Sequence, residues 1–149
     1  MENEFKYWHY LKEFDNCPST ECKTIEIQAF RWIFDDINNP DNFKPVLLIT
    51  PARINDQKFD KNEQKCCGYA LSLFNTLENA RNKFINISNR NKCFETQVGD
   101  NVAEITIEEH EGVATEPSTN KSNLGHFEFF EFIETNFFDK ITHKEKIII

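Results

Sequence analysis

The sequence predicts a single α+β domain over residues 1–149, with a mainly antiparallel sheet, one main helix packed on it and short flanking helices. Three observations predict this class. The length of 149 residues is that of one ordinary domain. Several short segments alternate apolar and polar residues, as half-buried strands do, and one segment has apolar residues at helical spacing. Clusters of turn-forming residues separate these segments, and none is long enough to be a domain linker.

Two segments in the first half of the chain are apolar. Thr24–Ile37 is ambiguous, because its first half alternates like a strand and its second half repeats like a helix; we favour a helix. Val46–Thr50, with the sequence VLLIT, is a short apolar run that ends at Pro51. This run predicts a buried strand.

A strand that leads directly into a helix is predicted in the middle of the chain. Gly68–Phe74 alternates as a strand does, and Asn75–Ile87 follows it as a helix. Asn75 is a favourable N-cap residue with Glu78 three positions later. The apolar residues at helical spacing are Leu77, Ala80, Phe84 and Ile87.

Two further strands are predicted in the second half. Val102–Glu109 alternates cleanly, as an antiparallel strand with one solvated face does. His126–Glu134 also alternates, but its phase breaks at Phe129 and Phe130. A bulge or a strand buried on both faces explains such a break.

The end of the chain is predicted to form one more short helix. Thr135 can cap it, with Phe138 and Ile141 facing inward. A basic tail, HKEKIII, follows the predicted helix.

The net charge of -8 is concentrated in one segment. Glu95–Glu134 contains ten acidic residues against Lys121 alone, a net charge of -9. Such a surface repels nucleic-acid phosphates and attracts basic partners. We therefore favour a non-enzymatic interaction module, in a bacterial conflict or regulatory system, that binds a basic protein. The carboxylates expected to bind this partner are Glu104, Glu108, Glu111 and Glu128.

The cysteines and the N-terminus predict a cytoplasmic protein. Five cysteines are an odd number, which argues against a closed disulfide framework, so we expect reduced thiols. Cys66 and Cys67 are adjacent, unlike the paired ligands of zinc sites, and we expect no metal. No apolar stretch is long enough to span a membrane, and the N-terminus lacks the pattern of a signal peptide.

Two residues are candidates for chemistry by their position. Arg53 follows the apolar run VLLIT, so at the end of a buried strand it could bind a phosphate or carboxylate, or pair with a glutamate. His126 lies at the start of a predicted strand and could act as an acid or base in a cleft. It could equally hydrogen-bond the loop Thr115–Asn123. Glu104 is expected on a solvated acidic face.

One motif resembles a known family. The passage Tyr69–Phe84, YALSLFNTLENARNKF, looks like the serine-containing strand and following helix of ADP-ribosyltransferase-like proteins. This resemblance implies an enzymatic alternative that uses NAD as cofactor; the favoured interaction module needs none. In that alternative Arg53 holds phosphate, Ser72 shapes the pocket and Glu104 orients the ribose, so these three side chains converge on one cleft. His126 is a further catalytic candidate.

The wider arrangement of short motifs also resembles a group of uncharacterised bacterial proteins. The motifs that carry this resemblance are PAR at Pro51, GYALSLF at Gly68, VAEI at Val102, EGV at Glu111 and GHF at Gly125. The resemblance covers most of the chain and implies no particular activity.

Overall fold

A six-stranded antiparallel sheet forms the centre of the protein. The computed structural model describes residues 4–149. The strands are β1 (Ile27–Ile33), β2 (Leu71–Phe74), β3 (Asn101–Ile107), β4 (Gly112–Ala114), β5 (His126–Glu131) and β6 (Ile141–Lys146). Their order across the sheet is β4-β5-β2-β1-β3-β6. This architecture confirms the predicted α+β class.

Five α-helices accompany the sheet over residues 4–149. They are α1 (Trp8–Leu11), α2 (Val46–Ile49), α3 (Asn62–Cys67), α4 (Leu77–Arg90) and α5 (Phe94–Val98). The long helix α4 confirms the main predicted helix, although Thr76 rather than Asn75 is its N-cap, with the Thr76 Oγ1 accepting from the Asn79 N–H at 3.0 Å. None of the helices among residues 4–149 combines the length and apolar character needed to cross a membrane.

The first face of the sheet, which carries Leu71 and Leu73, packs into one apolar core. Because directly paired residues share a face, the register places side chains of β1, β3 and β5 on the same side. Phe43 and Phe137 close this core from outside the sheet, with ring centroids 5.8 Å apart. The buried sheet residues of this core are Ala29, Ile33, Leu71, Leu73, Ala103, Ile105, Ile107, Ala114, Phe127 and Phe129.

The second face, which carries Ser72 and Phe74, is covered by two separate clusters. The first cluster packs the N-terminal segment, α2 and α3 against Phe130 of β5. The second packs α4 and α5 against Phe74 and Val102. Trp32 joins α4 to the sheet, since its indole N–H donates to the Ala80 carbonyl at 2.9 Å. The layer over this face is therefore divided between two clusters.

Thr24–Ile37 contains a strand, so the helix favoured from the sequence is wrong. Strand β1 pairs with β3 at seven positions, from Ile27 to Ile33. Ala29 and Ile33 face the first core, while Phe30 and Trp32 pack in the second cluster on the other face. A strand with apolar residues on both faces lacks a clean period of two, which is why its second half resembles a helix.

The predicted strand at Val46–Thr50 is also wrong, because this segment forms helix α2, Val46–Ile49. A short apolar run is compatible with either a buried strand or a buried helix. Here Leu47 is buried in the first cluster, and Pro45 occupies the N-cap position, where a missing N–H is tolerated. Arg53 consequently lies on the 3-10 turn Pro51–Asn55 instead of at the end of a strand.

The predicted C-terminal helix is replaced by a single turn and a strand. Asn136, not Thr135, caps the 3-10 turn Phe137–Asp139, and Phe137 rather than Phe138 is the buried ring. The tail pairs with β3 as strand β6. Upstream, Phe129 and Phe130 are both buried, so β5 is the strand buried on both faces that one interpretation of the phase break requires.

The expectation of five reduced thiols is wrong for two of them. Cys17 and Cys66 form a disulfide, whereas Cys22, Cys67 and Cys93 are free. The N-terminal segment folds over α3, so two cysteines that are 49 positions apart in sequence meet inside the first cluster. An odd number of cysteines leaves room for one such pair.

Candidate functional site

Ser72 is solvent-exposed although it lies in a central strand of the sheet. Its neighbours in β2, Leu71 and Leu73, are completely buried on the opposite face. The exposure of Ser72 marks the gap between the two clusters on the second face. We call this gap, with the side chains that surround Ser72, the Ser72 cleft.

Two side chains of β5 share this face with Ser72. The register pairs Ser72 with Glu128 and Phe74 with His126. The Ser72 Oγ is hydrogen-bonded to the His126 Nε2. The same imidazole nitrogen lies 3.4 Å from the Glu128 Oε1. The strand pairing thus brings a hydroxyl, an imidazole and a carboxyl group together.

The main chain around His126 is fixed by the adjacent loop. The Ser118 N–H donates to the His126 carbonyl at 2.8 Å, and the Gly125 N–H donates to the Ser118 carbonyl at 2.8 Å. Gly125 has a φ of +77° and lies against Asn75 and Asn79, so a side chain there would be strained and would clash. The loop therefore positions the backbone of His126, while the imidazole hydrogen-bonds Ser72.

Burial determines the protonation of the imidazole and the carboxyl group. It lowers the pKa of His126 to about 4, and the positive charges of Lys58 and Lys83 add to this effect. Burial also raises the pKa of Glu128 to about 8, although Lys58 and Arg31 partly oppose the rise. At pH 7 the imidazole is neutral and the carboxyl group is mostly protonated.

Cationic side chains lie near the Ser72 cleft. Lys58 and Arg53 both pack over the Phe59 ring, each 5.6 Å from its centroid. Lys83 donates to the Ser122 carbonyl at 2.6 Å, in the loop that leads to His126. Arg53 also contacts a carboxylate, Asp56, at 3.3 Å. Because His126 and Glu128 are uncharged and Arg53 is paired with Asp56, it is Lys58 and Lys83 that give the surroundings of His126 a positive potential.

The free thiols near Glu128 are not activated. Burial, followed by the charge of Glu128, raises the pKa of Cys67 to about 12. Burial also raises the pKa of Cys22. A thiol is nucleophilic as its thiolate, so both groups are inert at neutral pH. Ser72 is the nucleophilic group that the geometry favours.

Arg31 supports the site and was not identified from the sequence. Its guanidinium donates to the main-chain carbonyls of Asn42 at 2.7 Å, Lys44 at 3.0 Å and Ser72 at 3.0 Å. Strands β1 and β2 pair only at Phe30 and Phe74. The contacts of Arg31 join β2 to the loop that contains Asn42 and Lys44. An arginine inside the apolar run AFRWI was the available signal, since a charge there needs partners.

Glu104 lies apart from the Ser72 cleft. It is on β3, and its carboxylate accepts from the Thr142 Oγ1 of β6 at 2.7 Å. Strand β1 separates β3 from β2, which corresponds to about 10 Å at the usual strand spacing. Arg53, Ser72 and Glu104 therefore do not converge as the ADP-ribosyltransferase resemblance implied. The structure joins Ser72 to His126 instead.

The four carboxylates expected to bind a basic partner do not form one open surface. Glu108 and Glu111 each lie 3.4 Å from the Lys140 Nζ, and Glu111 is only 5% exposed. Glu128 is mostly buried beside His126, and Glu104 faces Thr142. Strand β6 brings lysines next to the acidic segment, a tertiary pairing that the charge count along the chain could not include.

A group of potential metal ligands is already neutralised by a lysine. Ligand atoms of Glu108, His110 and Glu111 all lie within 4.8 Å of one another. The Lys140 ammonium group lies 3.4 Å from the carboxylates of both Glu108 and Glu111 and balances their negative charge. We assign no metal to this group.

The comparisons with known proteins identify no relative. A scan against protein-family models finds no match, and searches of curated proteins and of solved structures find no similar protein. The two resemblances noted in the sequence stay predictions.

Proposed function

We propose that the protein is an enzyme in which Ser72 is the nucleophile of an acyl transfer, most simply the hydrolysis of an ester. The observation that carries this proposal is the solvent-exposed Ser72 hydroxyl hydrogen-bonded to a neutral imidazole on a central strand pair of the sheet. A serine needs an adjacent base to act as a nucleophile, and His126 supplies one. Both residues lie on paired strands, which hold them in register.

The reaction begins when the Ser72 Oγ attacks the ester carbonyl and its proton passes to the His126 Nε2. The tetrahedral intermediate then releases the alcohol, which takes that proton, and leaves an acyl-serine. Water attacks the acyl-serine and gives a proton to the same nitrogen. Release of the acid returns this proton to Ser72 and restores the free enzyme.

Glu128 makes this chemistry pH-dependent. When protonated, its carboxyl group can donate to the His126 Nε2, 3.4 Å away, and so competes with the Ser72 hydroxyl for the imidazole lone pair. When ionised, it stabilises the imidazolium that forms during the reaction. Because the pKa of Glu128 is raised to about 8, activity should increase across that pH.

The charges near the cleft favour an anionic substrate. Lys58 and Lys83 act on His126 strongly enough to contribute to its lowered pKa. Neither His126 nor Glu128 carries a charge at pH 7 to offset them. A carboxylate or phosphate group on the substrate would complement these lysines.

A fluorophosphonate probe tests the nucleophile directly. An activated serine displaces fluoride and forms a stable Oγ–P bond, which mass spectrometry locates in the sequence. We expect labelling at Ser72 that is abolished by Ser72→Ala. It should fall at least about tenfold in His126→Gln, because general-base catalysis contributes about 100-fold or more. Ser88→Ala, at a half-buried serine on α4, is the matched control.

Two outcomes would overturn the proposal. One is labelling of Ser72 that is unchanged in His126→Gln, since the serine would then need no base. The other is absence of labelling in a parent protein whose thermal melt shows that it is folded.

A further inference from the structure

A second cleft lies at the opposite end of β5 from His126. It has a volume of about 570 Å³ and is lined by the turn 132–135, by His110 and Glu111 next to β4, and by Glu4. Most of its lining residues belong to the acidic segment Glu95–Glu134, and it contains no residue of the Ser72 cleft. We call it the acid-rimmed cleft.

Main-chain hydrogen bonds fix the shape of the acid-rimmed cleft. The Phe132 N–H donates to the Glu111 carbonyl at 2.9 Å, and the Thr135 Oγ1 donates to the same carbonyl at 2.7 Å. The Ile133 N–H donates to the Glu4 carbonyl at 2.7 Å. A preformed cleft loses little conformational freedom when a ligand binds.

The turn presents an apolar side chain to solvent. Ile133 is 56% exposed, more than most large apolar residues among residues 4–149. Beside it, the Phe132 ring packs on Phe5 with centroids 5.3 Å apart, which supports the turn from behind. Burying the Ile133 side chain against an apolar group of a partner would remove apolar surface from water and so favour binding.

The rim of this cleft is negatively charged. Glu4 and Glu134 are exposed, and neither has an ion-pair partner within the described part of the chain. Glu111 shares the Lys140 ammonium group with Glu108. Lys6 donates to the Thr135 carbonyl but is paired with Glu131, so the unpaired carboxylates of Glu4 and Glu134 favour a cation next to the apolar Ile133.

We propose that the acid-rimmed cleft binds a segment of a partner protein that presents a lysine or arginine beside an apolar side chain. The apolar side chain covers Ile133, and the cation lies between Glu4 and Glu134. This proposal confines the interaction expected from the acidic segment to one preformed cleft. It does not depend on the chemistry of Ser72.

Fluorescence anisotropy with a defined peptide tests the cleft. The probe is a fluorescein-labelled Lys-Leu-Lys-Leu-Lys peptide, titrated with the full chain at low salt and again at raised salt. We expect binding that weakens about tenfold in Ile133→Ser and in Glu134→Lys, through loss of the apolar contact and charge repulsion respectively. Glu116→Lys makes the same charge change at an exposed position outside the cleft and should bind like the parent.

Three results would overturn the inference. The first is no binding to the parent protein. The second is equal weakening in Glu116→Lys and Glu134→Lys, which would show attraction to net charge alone. The third is equally tight binding of a Lys-Ser-Lys-Ser-Lys peptide, which would show that Ile133 is not used. Thermal melts of the variants, all at exposed positions, confirm that each is folded.

Discussion

At the scale of single residues, burial gives the Ser72 cleft its properties. His126 and Glu128 lie side by side on one face of β5, and both are uncharged at neutral pH because a buried charge is unfavourable. Their pKa values move in opposite directions from the ordinary values. Because these pKa values differ between the folded and the unfolded protein, the free energy of unfolding depends on pH in a way that can be measured.

The parent protein should lose stability as the pH rises from about 6.5 to 8, and the Glu128→Gln variant should not. The folded protein keeps a proton on Glu128 up to about pH 8, whereas the unfolded chain releases it near 4.5, so raising the pH favours unfolding. His126 has the opposite effect between about pH 4 and 6.5 and cancels it there. The remaining loss in the parent is about 2 kcal/mol.

Urea unfolding at several pH values measures this difference. The free energy of unfolding of the Glu128→Gln variant, relative to the parent, should increase from pH 6.5 to 8. Glu116→Gln, at an exposed glutamate, is the control and should follow the parent. Parallel curves for Glu128→Gln and the parent would contradict the raised pKa.

Arg31→Gln should destabilise the protein by about 2 to 4 kcal/mol. The guanidinium satisfies three main-chain carbonyls, and a shorter amide cannot reach all three, which leaves polar groups unpaired. Chemical denaturation measures the loss, and Arg90→Gln at the exposed end of α4 is the control. An effect no larger than that of Arg90→Gln would show that these hydrogen bonds contribute little.

At the scale of elements, a tertiary contact selects the N-cap residue of helix α4. The sequence predicted Asn75 as the N-cap of this helix. Thr76 is the cap, while the Asn75 Oδ1 accepts from the Asn79 Nδ2 and its N–H donates to the Gly125 carbonyl. The tertiary contact with the loop before β5 thus decides which residue begins the helix.

Thr76→Ala should destabilise the protein by about 1 kcal/mol, the usual contribution of an N-cap. Loss of the Oγ1 leaves the Asn79 N–H without its acceptor. Thermal denaturation measures the change, and Thr119→Ala in the exposed loop provides the control. If both variants melt together, Thr76 does not stabilise α4.

At the scale of the whole molecule, long-range contacts join the N-terminal segment to the body of the protein. The Cys17–Cys66 disulfide closes a loop with a sequence separation of 49. The segment it holds covers part of the second face next to the Ser72 cleft. The cover over β5 therefore depends in part on this covalent link.

Reduction of the disulfide should lower the free energy of unfolding by about 4 kcal/mol, from the loop-closure entropy of the unfolded chain. Urea unfolding with and without dithiothreitol measures the effect. The Cys17→Ala/Cys66→Ala double variant should be equally destabilised and insensitive to the reductant. Cys93→Ser, at an exposed free cysteine, should behave as the parent. A parent that does not respond to reduction would contradict this prediction.

The local sequence pattern predicted an element correctly where one face of the element is buried and the other is more exposed to solvent. From Ala103 to Ile107, strand β3 alternates between buried and half-buried side chains, and the sequence predicted the strand to within two residues at each end. Helix α4 likewise has one buried face and one exposed face, with a period of 3.6 residues. By contrast, β1 and α2 are short apolar segments whose period is weak or absent, and both were assigned to the wrong class.

The candidate site was predicted only as a set of separate residues. Ser72, His126 and Glu128 each appeared among the sequence candidates, but in different roles. Only the pairing of β2 with β5 brings them together, and only the position of β1 keeps Glu104 away. Arg31 went unnoticed because its three acceptors are carbonyls that any residue carries.

The sequence by itself determined the α+β class, the long helix and the position of the acidic segment, because composition and periodicity are local properties of the chain. The tertiary structure decided which acids are neutralised by Lys140, which cysteines pair, and that Ser72 meets His126 in a gap between two clusters. These contacts join residues far apart in sequence. They depend on strand order and register, which the packing of the whole chain decides.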